Sequence, residues 1–132
     1  MMKHTILILF LFLSLLCHGQ SYKFFTTDRE LSSSLINKIY QDRNGMIWIA
    51  TEDGLNRYDG AKFITYKHDP ENEYSLCHNY VRVLYEDSKG RLFVGTYNGI
   101  QLYDPETDSF SARAQWEDGK TFDSNIMSIL EL

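Results

Sequence analysis

Cysteine is scarce in this sequence, which limits how the fold can be stabilised. Only two of the 132 residues are cysteine, Cys17 and Cys77. Cys17 belongs to an N-terminal apolar run with the character of a cleavable export signal, which would leave Cys77 alone in the mature chain. A single thiol cannot form an internal disulfide, so packing has to hold the fold together. No activating residues accompany Cys77, which argues against a catalytic nucleophile.

The sequence also lacks a block of like charge and a catalytic constellation. Its formal net charge of -5 at pH 7 repels phosphate backbones, which argues against nucleic acid as a partner. It has no paired acids in one loop, no Ser-His-Asp arrangement, and no metal-ligand spacing among His68, His78 and the carboxylates. We therefore expect no enzyme activity, no metal and no cofactor in this chain.

The N-terminus carries the signature of protein export. A short basic start precedes an apolar run from Ile6 to Leu16. Such a run is too short to span a bilayer and is typical of a secretory signal peptide. We predict that residues 1–19 are this signal peptide, helical over 5–17, and that the mature chain is periplasmic. Lipidation at Cys17 is a less favoured alternative, because the residue before it is bulkier than that processing prefers.

The remaining sequence repeats itself, and Asp87 lies 45 residues after its counterpart Asp42. A third copy begins near Ile126 at the same spacing and stops at Leu132. The matched pairs of the first two copies are Asp42/Asp87, Gly45/Gly90, Trp48/Phe93, Thr51/Thr96, Gly54/Gly99, Tyr58/Tyr103 and Asp59/Asp104. So many matches in register indicate a structural repeat.

Each repeat is predicted to be a four-stranded antiparallel sheet, because turn residues separate short runs of branched and aromatic residues. The predicted strands of the first unit are Ile36–Gln41, Met46–Ala50, Leu55–Tyr58 and Lys62–Tyr66. Those of the second unit are Val81–Glu86, Arg91–Gly95, Ile100–Tyr103 and Ser109–Arg113. Four strands in a period near 45 residues are typical of β-propeller blades. The predicted fold class is therefore all-β, with two propeller blades and the first strand of a third.

Large side chains at equivalent positions are expected to fill the space between blades. We predict that Trp48 and Phe93 are buried where the two sheets pack face to face. Ile47 and Leu92 are expected to remain in water on the outer faces.

The aspartates that follow the first strand of each unit, Asp42 and Asp87, are predicted to accept hydrogen bonds from their own turns. The Asp-x-x-Gly-x-x-Trp run is similar to the Asp-box of sialidases, but its spacing differs by one residue and an Asp-box is itself structural. An enzyme of the sialidase or quinoprotein kind is therefore disfavoured.

At these residues the sequence resembles the two-component regulator propeller repeat. The family pattern Asn-x-Val-x-x-Ile-x-x-Asp-x-x-Gly-x-x-Trp-Ile-Gly-Thr-x-x-Gly-Leu-x-x-Tyr-Asp is followed from Asn79 to Asp104, with Phe93 in place of the usual Trp. The first copy has Ala50 in place of the usual Gly. The resemblance implies a periplasmic sensor module of a Bacteroidota hybrid two-component histidine kinase, anchored in the inner membrane by segments beyond this chain.

The resemblance also implies that the chain is the N-terminal part of a longer sensor, truncated before the kinase. We expect residues 20–132 to aggregate or oligomerise unless the remaining blades of the parent protein complete the ring. The expected segments are the signal peptide at 1–19, an N-terminal strand (Tyr22–Thr26) and link at 20–34, blade 1 with its linker at 35–78, blade 2 with its linker at 79–123, and the first strand of blade 3 at 124–132.

The leading functional hypothesis is that the propeller senses a ligand, in this family often an oligosaccharide, and controls the kinase across the membrane. The alternative is a periplasmic scaffold for protein–protein interaction that senses no small ligand. The ligand would bind where the turns after the second strands meet the linkers, because aromatic faces and short polar side chains suit sugar rings. The candidate ligand-binding residues are Glu52, Asp53, His78, Tyr97, Asn98 and Trp116.

Overall fold

The computed structural model describes residues 21–27, 30–112 and 125–130. All the regular elements in these ranges are β-strands. The predicted signal peptide (1–19) with its helix lies outside the described residues. Within the described ranges, no helix is long and apolar enough to cross a membrane.

The strands form two antiparallel sheets of four, each in the order of the sequence. The strands of the first sheet, blade 1, are β1 (Ile36–Gln41), β2 (Ile47–Thr51), β3 (Gly54–Tyr58) and β4 (Phe63–Tyr66). The strands of the second sheet, blade 2, are β5 (Val81–Glu86), β6 (Leu92–Thr96), β7 (Gly99–Asp104) and β8 (Ser109–Phe110). The predicted all-β fold with two four-stranded blades is confirmed, although β8 is shorter than expected.

The first turn of each blade is built around an aspartate. Oδ1 of Asp42 accepts hydrogen bonds from the backbone N–H groups two and four residues later, at 2.9 and 3.0 Å. Oδ1 of Asp87 does the same at 3.0 and 2.8 Å. Gly45 and Gly90 close these turns with φ values of 83° and 82°, a conformation that glycine adopts without strain. The predicted turn role of both aspartates is confirmed.

The core lies between the two blades, which pack face to face. Trp48 on β2 is 1% exposed, and its ring meets the ring of Tyr103 on β7 edge-on with 4.7 Å between centroids. The predicted burial of Trp48 is confirmed. Removing this apolar surface from water is the main force that holds the blades together. The other buried members of the core are Ala50, Leu55, Leu76, Val81, Leu84, Leu92, Val94 and Phe110.

Equivalent residues of the two blades point the same way along the stack, so they do not meet in one interface. Trp48 faces blade 2, whereas its counterpart Phe93 lies on the far face of blade 2 and is half-buried. Leu92 points towards blade 1 instead, because side chains alternate along a strand, and it is 5% exposed. The predictions that Phe93 is buried between the blades and that Leu92 faces water are therefore wrong. Ile47, expected in water, is half-buried.

Residues 21–26 lie against the face of blade 1 that points away from blade 2. Phe25 packs on the rings of Tyr58 and Phe63, with centroids 5.0 and 4.9 Å away. Lys23 Nζ donates a hydrogen bond to the Tyr58 hydroxyl at 2.7 Å. The segment has no strand pairing, so the predicted N-terminal strand is not formed, although the segment packs on blade 1.

A lead-in residue precedes each blade and is tied to its third strand by a buried amide. The Ser32 N–H donates to Oδ1 of Asn56 at 3.0 Å. The Cys77 N–H, 45 residues later in the sequence, donates to Oε1 of Gln101 at 2.7 Å. Asn56 is fully buried and Gln101 is 2% exposed. The linker before each blade is therefore part of that blade.

Residues 125–130, predicted to contain the first strand of a third blade, show no strand pairing. The Ile126 N–H donates to the Thr96 carbonyl at 3.1 Å. The Ile126 side chain lies against Gly95, where an added Cβ would come within 2.9 Å of it. This segment therefore rests on the end of β6 in blade 2.

An ion pair between Arg57 and Asp108 crosses the interface beside the aromatic core. Arg57 donates to Oδ1 of Asp108 at 2.8 Å and also to the Tyr103 hydroxyl. The hydroxyls of Tyr66 and Tyr103 donate to the same Oδ1 at 2.5 and 2.6 Å. Partial burial opposes ionisation of Asp108, but these hydrogen bonds and the Arg57 charge outweigh it and lower its pKa. Burial and the bonds to Asp108 raise the pKa of Tyr103 to about 12, and they raise the pKa of Tyr66 as well.

Candidate ligand-binding site

The turns that follow the second strand of each blade lie at one end of the sheets, with the linker between the blades. In the β2–β3 turn, the buried Thr51 hydroxyl donates to the Gly54 carbonyl at 2.8 Å. In the β6–β7 turn, Thr96 makes the equivalent bond to Gly99 at 3.1 Å. These buried bonds fix the two turns that carry four of the six predicted site residues.

Tyr80, the last linker residue before β5, organises the centre of this end. Its hydroxyl donates to Oε1 of Glu52 at 2.9 Å, and its N–H donates to Nδ1 of His78 at 2.9 Å. Its carbonyl accepts from the Tyr97 N–H at 3.0 Å. The Tyr97 ring lies 6.1 Å from the Tyr80 ring and 5.7 Å from the His78 ring, and Tyr97 is 55% exposed. We call these four residues, Glu52, His78, Tyr80 and Tyr97, the aromatic group.

The hydrogen bond to Glu52 keeps the Tyr80 hydroxyl protonated, against the opposing effect of the Arg82 charge. The hydrogen bond to Glu52 and partial burial raise the pKa of Tyr80. The Arg82 guanidinium lies 5.5 Å from the centre of the Tyr80 ring and also contacts the Met127 sulfur at 2.9 Å. The phenol is thus held as a hydrogen-bond donor to a carboxylate, with a cation over its face.

Asp53, next to Glu52 in the sequence, makes two polar contacts with the linker. Its carboxylate binds Lys67 Nζ at 2.6 Å and accepts from Asn79 Nδ2 at 3.2 Å. Both partners belong to the linker between the blades. Asp53 therefore ties the β2–β3 turn to that linker, and its role as a ligand contact stays a prediction.

Asn98 lines a separate cleft of about 460 Å³ beside the aromatic group. The cleft lies between the linker and the β6–β7 turn, and its floor includes the buried Leu76 and Gln101. Trp116 lies outside the described residues. No set of three His, Cys, Asp or Glu side chains in the described part of the chain could hold a metal ion. The cleft is lined by His68, Asp69, Pro70, Asn72, Glu73, Ser75, Leu76, Cys77, Asn98, Gln101 and Ala112.

The structure thus brings together three of the predicted residues, Glu52, His78 and Tyr97. Sequence reasoning missed Tyr80, which contacts all three. Its position directly before β5 and two residues after His78 is the signal that could have found it, because the linker ends at this face. The contact with Glu52, 28 residues earlier, carries no such signal.

The family model described as two component regulator propeller matches residues 30–53 and 75–98. Each match begins in the segment before a blade, continues through the first two strands of that blade, and ends in the turn after the second strand, which carries candidate site residues. Each blade therefore contains one match to this family model. The first match ends at Asp53 and the second at Asn98, so both matches end at the same end of the sheets.

The chain is similar to much longer proteins. It is 40% identical over 73 residues to histidine kinase P4 of Formosa agariphila, covering 52% of this chain and 5% of that protein. It is also similar to the extracellular domain of the hybrid two component system BT3049 from B. thetaiotaomicron, with a TM-score of 0.65 and 32% identity. That match covers 78% of this chain and 15% of the other. The extracellular domain of BT4673 from the same organism gives a TM-score of 0.58 at 26% identity, covering 71% and 14%.

Proposed function

We propose that this chain is part of the sensory propeller of a two-component signalling protein, that it acts in the periplasm, and that it binds an oligosaccharide at the aromatic group. Its two component regulator propeller repeats support the sensory part. Its similarity to a histidine kinase and to extracellular domains of two component systems supports the signalling role and the location outside the cytoplasm. In this proposal the chain binds the sugar and leaves it chemically unchanged.

The observation that carries the proposal is the exposed ring of Tyr97 beside a satisfied polar network. Tyr97 is 55% exposed, and its ring makes an edge-to-face contact with Tyr80 and a tilted contact with His78. An aromatic face of this kind stacks on the C–H groups of a sugar ring, while neighbouring polar groups bind its hydroxyls. Glu52, which binds the Tyr80 hydroxyl, and His78, whose ring lies 5.7 Å from the Tyr97 ring, are the polar groups beside these aromatic rings.

The position of the aromatic group also provides a route for a signal. Glu52 belongs to blade 1, whereas Tyr80 and Tyr97 belong to blade 2. A sugar that contacts both blades stabilises one relative position of the two. The ligand would therefore act on the angle between neighbouring blades.

The test is a glycan-array screen of the intact protein, followed by titration calorimetry with the glycans that bind. Tyr97→Ala should weaken binding by about threefold to tenfold, the range expected for one aromatic contact. Tyr74→Ala is the matched control, because Tyr74 is also 55% exposed and lies outside the aromatic group. Failure to bind any glycan, or equal effects of the two variants, would contradict the proposal.

A further inference from the structure

We infer that the site has two adjoining subsites and takes a linear oligosaccharide of at least two sugars, one on the aromatic group and the next, a neutral sugar, in the cleft lined by Asn98. This inference rests on the proposed function and specifies its ligand. The aromatic group and the cleft would each bind one sugar of the chain.

Two stretches of backbone join the cleft to the aromatic group. Cys77 lines the cleft, and the next residue, His78, belongs to the aromatic group. Asn98 lines the cleft, and the residue before it, Tyr97, belongs to the aromatic group. Consecutive Cα atoms are about 3.8 Å apart, so the two features share a boundary along both stretches. A chain of sugars can therefore pass from one to the other without leaving the surface.

The cleft has the size and rigidity of a binding pocket. Its volume of about 460 Å³ falls within the usual range of about 300–1,000 Å³ for ligand sites. The Gln101 amide in its floor donates to the carbonyls of Ser75 and Ser111, both at 2.9 Å, and accepts from the Cys77 N–H. Because the Gln101 amide is already paired, the floor keeps its shape, and the side chains of the walls are the groups that bind a ligand.

The walls of the cleft favour a neutral, hydroxyl-rich ligand. Asn72 and Asn98 offer amides, and Asp69 and Glu73 offer carboxylate oxygens that accept from hydroxyl groups. Among the described residues that line the cleft there is no Lys or Arg. Carboxylates without a facing cation repel a uronate or a sulfated sugar, so the second subsite selects against acidic sugars.

The experiment is titration calorimetry of the intact protein with malto-, cello-, xylo- and manno-oligosaccharides of one to six residues. In the series that binds, the disaccharide should bind at least about tenfold more tightly than the monosaccharide, because it adds several hydrogen bonds. Asn98→Ala and Glu73→Gln should each weaken disaccharide binding by about threefold to tenfold and leave monosaccharide binding unchanged. Tyr97→Ala should weaken both.

The matched control is Asn44→Ala, because Asn44 is an exposed turn residue between β1 and β2, at the other end of the sheets. It should bind all sugars as the wild type does. If monosaccharide and disaccharide bind equally, or if Asn98→Ala weakens both alike, the second subsite is refuted while the proposed function stands. If the array and all four series show no binding, the proposed function fails and this inference fails with it.

Discussion

Arg91 donates from Nε to Oδ2 of Asp87 at 2.6 Å, and it thereby takes the place that the Trp48 indole has in the other blade. There the Trp48 Nε1–H donates to Oδ2 of Asp42 at 2.8 Å. The counterpart of Trp48 is Phe93, whose ring has no N–H. The side chain of Asp87 is 6% exposed, so losing this donor would leave a nearly buried carboxylate oxygen unpaired. The two repeats thus reach the same hydrogen-bond pattern with different residues.

Exchanging these donors in blade 2 provides the first test. Arg91→Met, which copies Met46 of blade 1, should lower the free energy of unfolding by about 1–3 kcal/mol, because Asp87 loses its side-chain partner. Adding Phe93→Trp should recover most of this loss, because the new indole N–H can donate to Asp87. Urea unfolding of both single variants and the double variant measures the coupling. Purely additive losses would show that the two donors are not equivalent.

Removing the turn aspartate of blade 1 should cost more than removing an exposed turn aspartate. Asp42→Ala takes away two turn hydrogen bonds and leaves the N–H of the buried Trp48 unpaired, so we expect a loss of about 2–4 kcal/mol. Asp59→Ala is the control. Asp59 also accepts two backbone bonds but holds no buried side chain, and its loss should cost about 1 kcal/mol. Thermal unfolding followed by tryptophan fluorescence distinguishes the two, and equal losses would refute the role of Trp48.

Alkaline pH should weaken the interface between the blades. A tyrosine in the unfolded chain ionises near pH 10, whereas the pKa of Tyr103 in the fold is about 12 and that of Tyr66 is also raised. The contribution of Tyr103 to stability is therefore complete below about pH 10 and is lost as the pH rises through about 12, and Tyr66 adds a loss in the same direction. Unfolding in urea at a series of pH values measures this loss. Tyr103→Phe should make the loss smaller, and an unchanged pH dependence in that variant would contradict the assignment.

Asp108 combines two properties that substitutions can separate. It binds Arg57 across the interface, and it is the one described non-glycine residue with a positive φ, 52°. Asp108→Asn tolerates this φ and loses the charge, which should cost about 1 kcal/mol because the site is partly exposed. Asp108→Ala should cost about 2 kcal/mol, since alanine also disfavours the positive φ. Asp108→Gly loses the same carboxylate as Asp108→Ala but adopts the positive φ without strain. In thermal unfolding, the difference between the Ala and Gly variants therefore gives the φ contribution, and the Asn variant gives the contribution of the charge.

The sequence predicts the strands well because each strand end is marked locally. Asp42, Gly45 and their counterparts fix the turns through bonds within a few residues, which a pattern of residues can reveal. The direction of side chains across the stack is different. The predicted faces of Phe93 and Leu92 are wrong because the sequence does not show on which side of a blade its neighbour packs. The matched pair Trp48/Phe93 suggests one shared interface, but equivalent residues of stacked blades point the same way and cannot meet.

The site is less predictable than the fold for a related reason. The turns after the second strands and the linkers between blades indicate which end of the blades to consider, and they led to the candidates Glu52, His78 and Tyr97. The residue that joins them, Tyr80, does so through a hydrogen bond to Glu52 of the other blade and a ring contact with Tyr97 of its own blade. Asp53 looks equally suitable in the sequence, yet its partner Lys67 becomes apparent only once the linker is folded over the turn.

The buried amides of Asn56 and Gln101 determine where one blade can be separated from the next. A graft that begins at Val81, the start of the first strand, would omit the lead-in residue Cys77. The buried Gln101 amide would then lose the hydrogen bond from the Cys77 N–H. A graft that begins before residue 75 carries its own partner for that amide. The transplantable module of this architecture therefore starts with the linker, and chimeric propellers should be joined there.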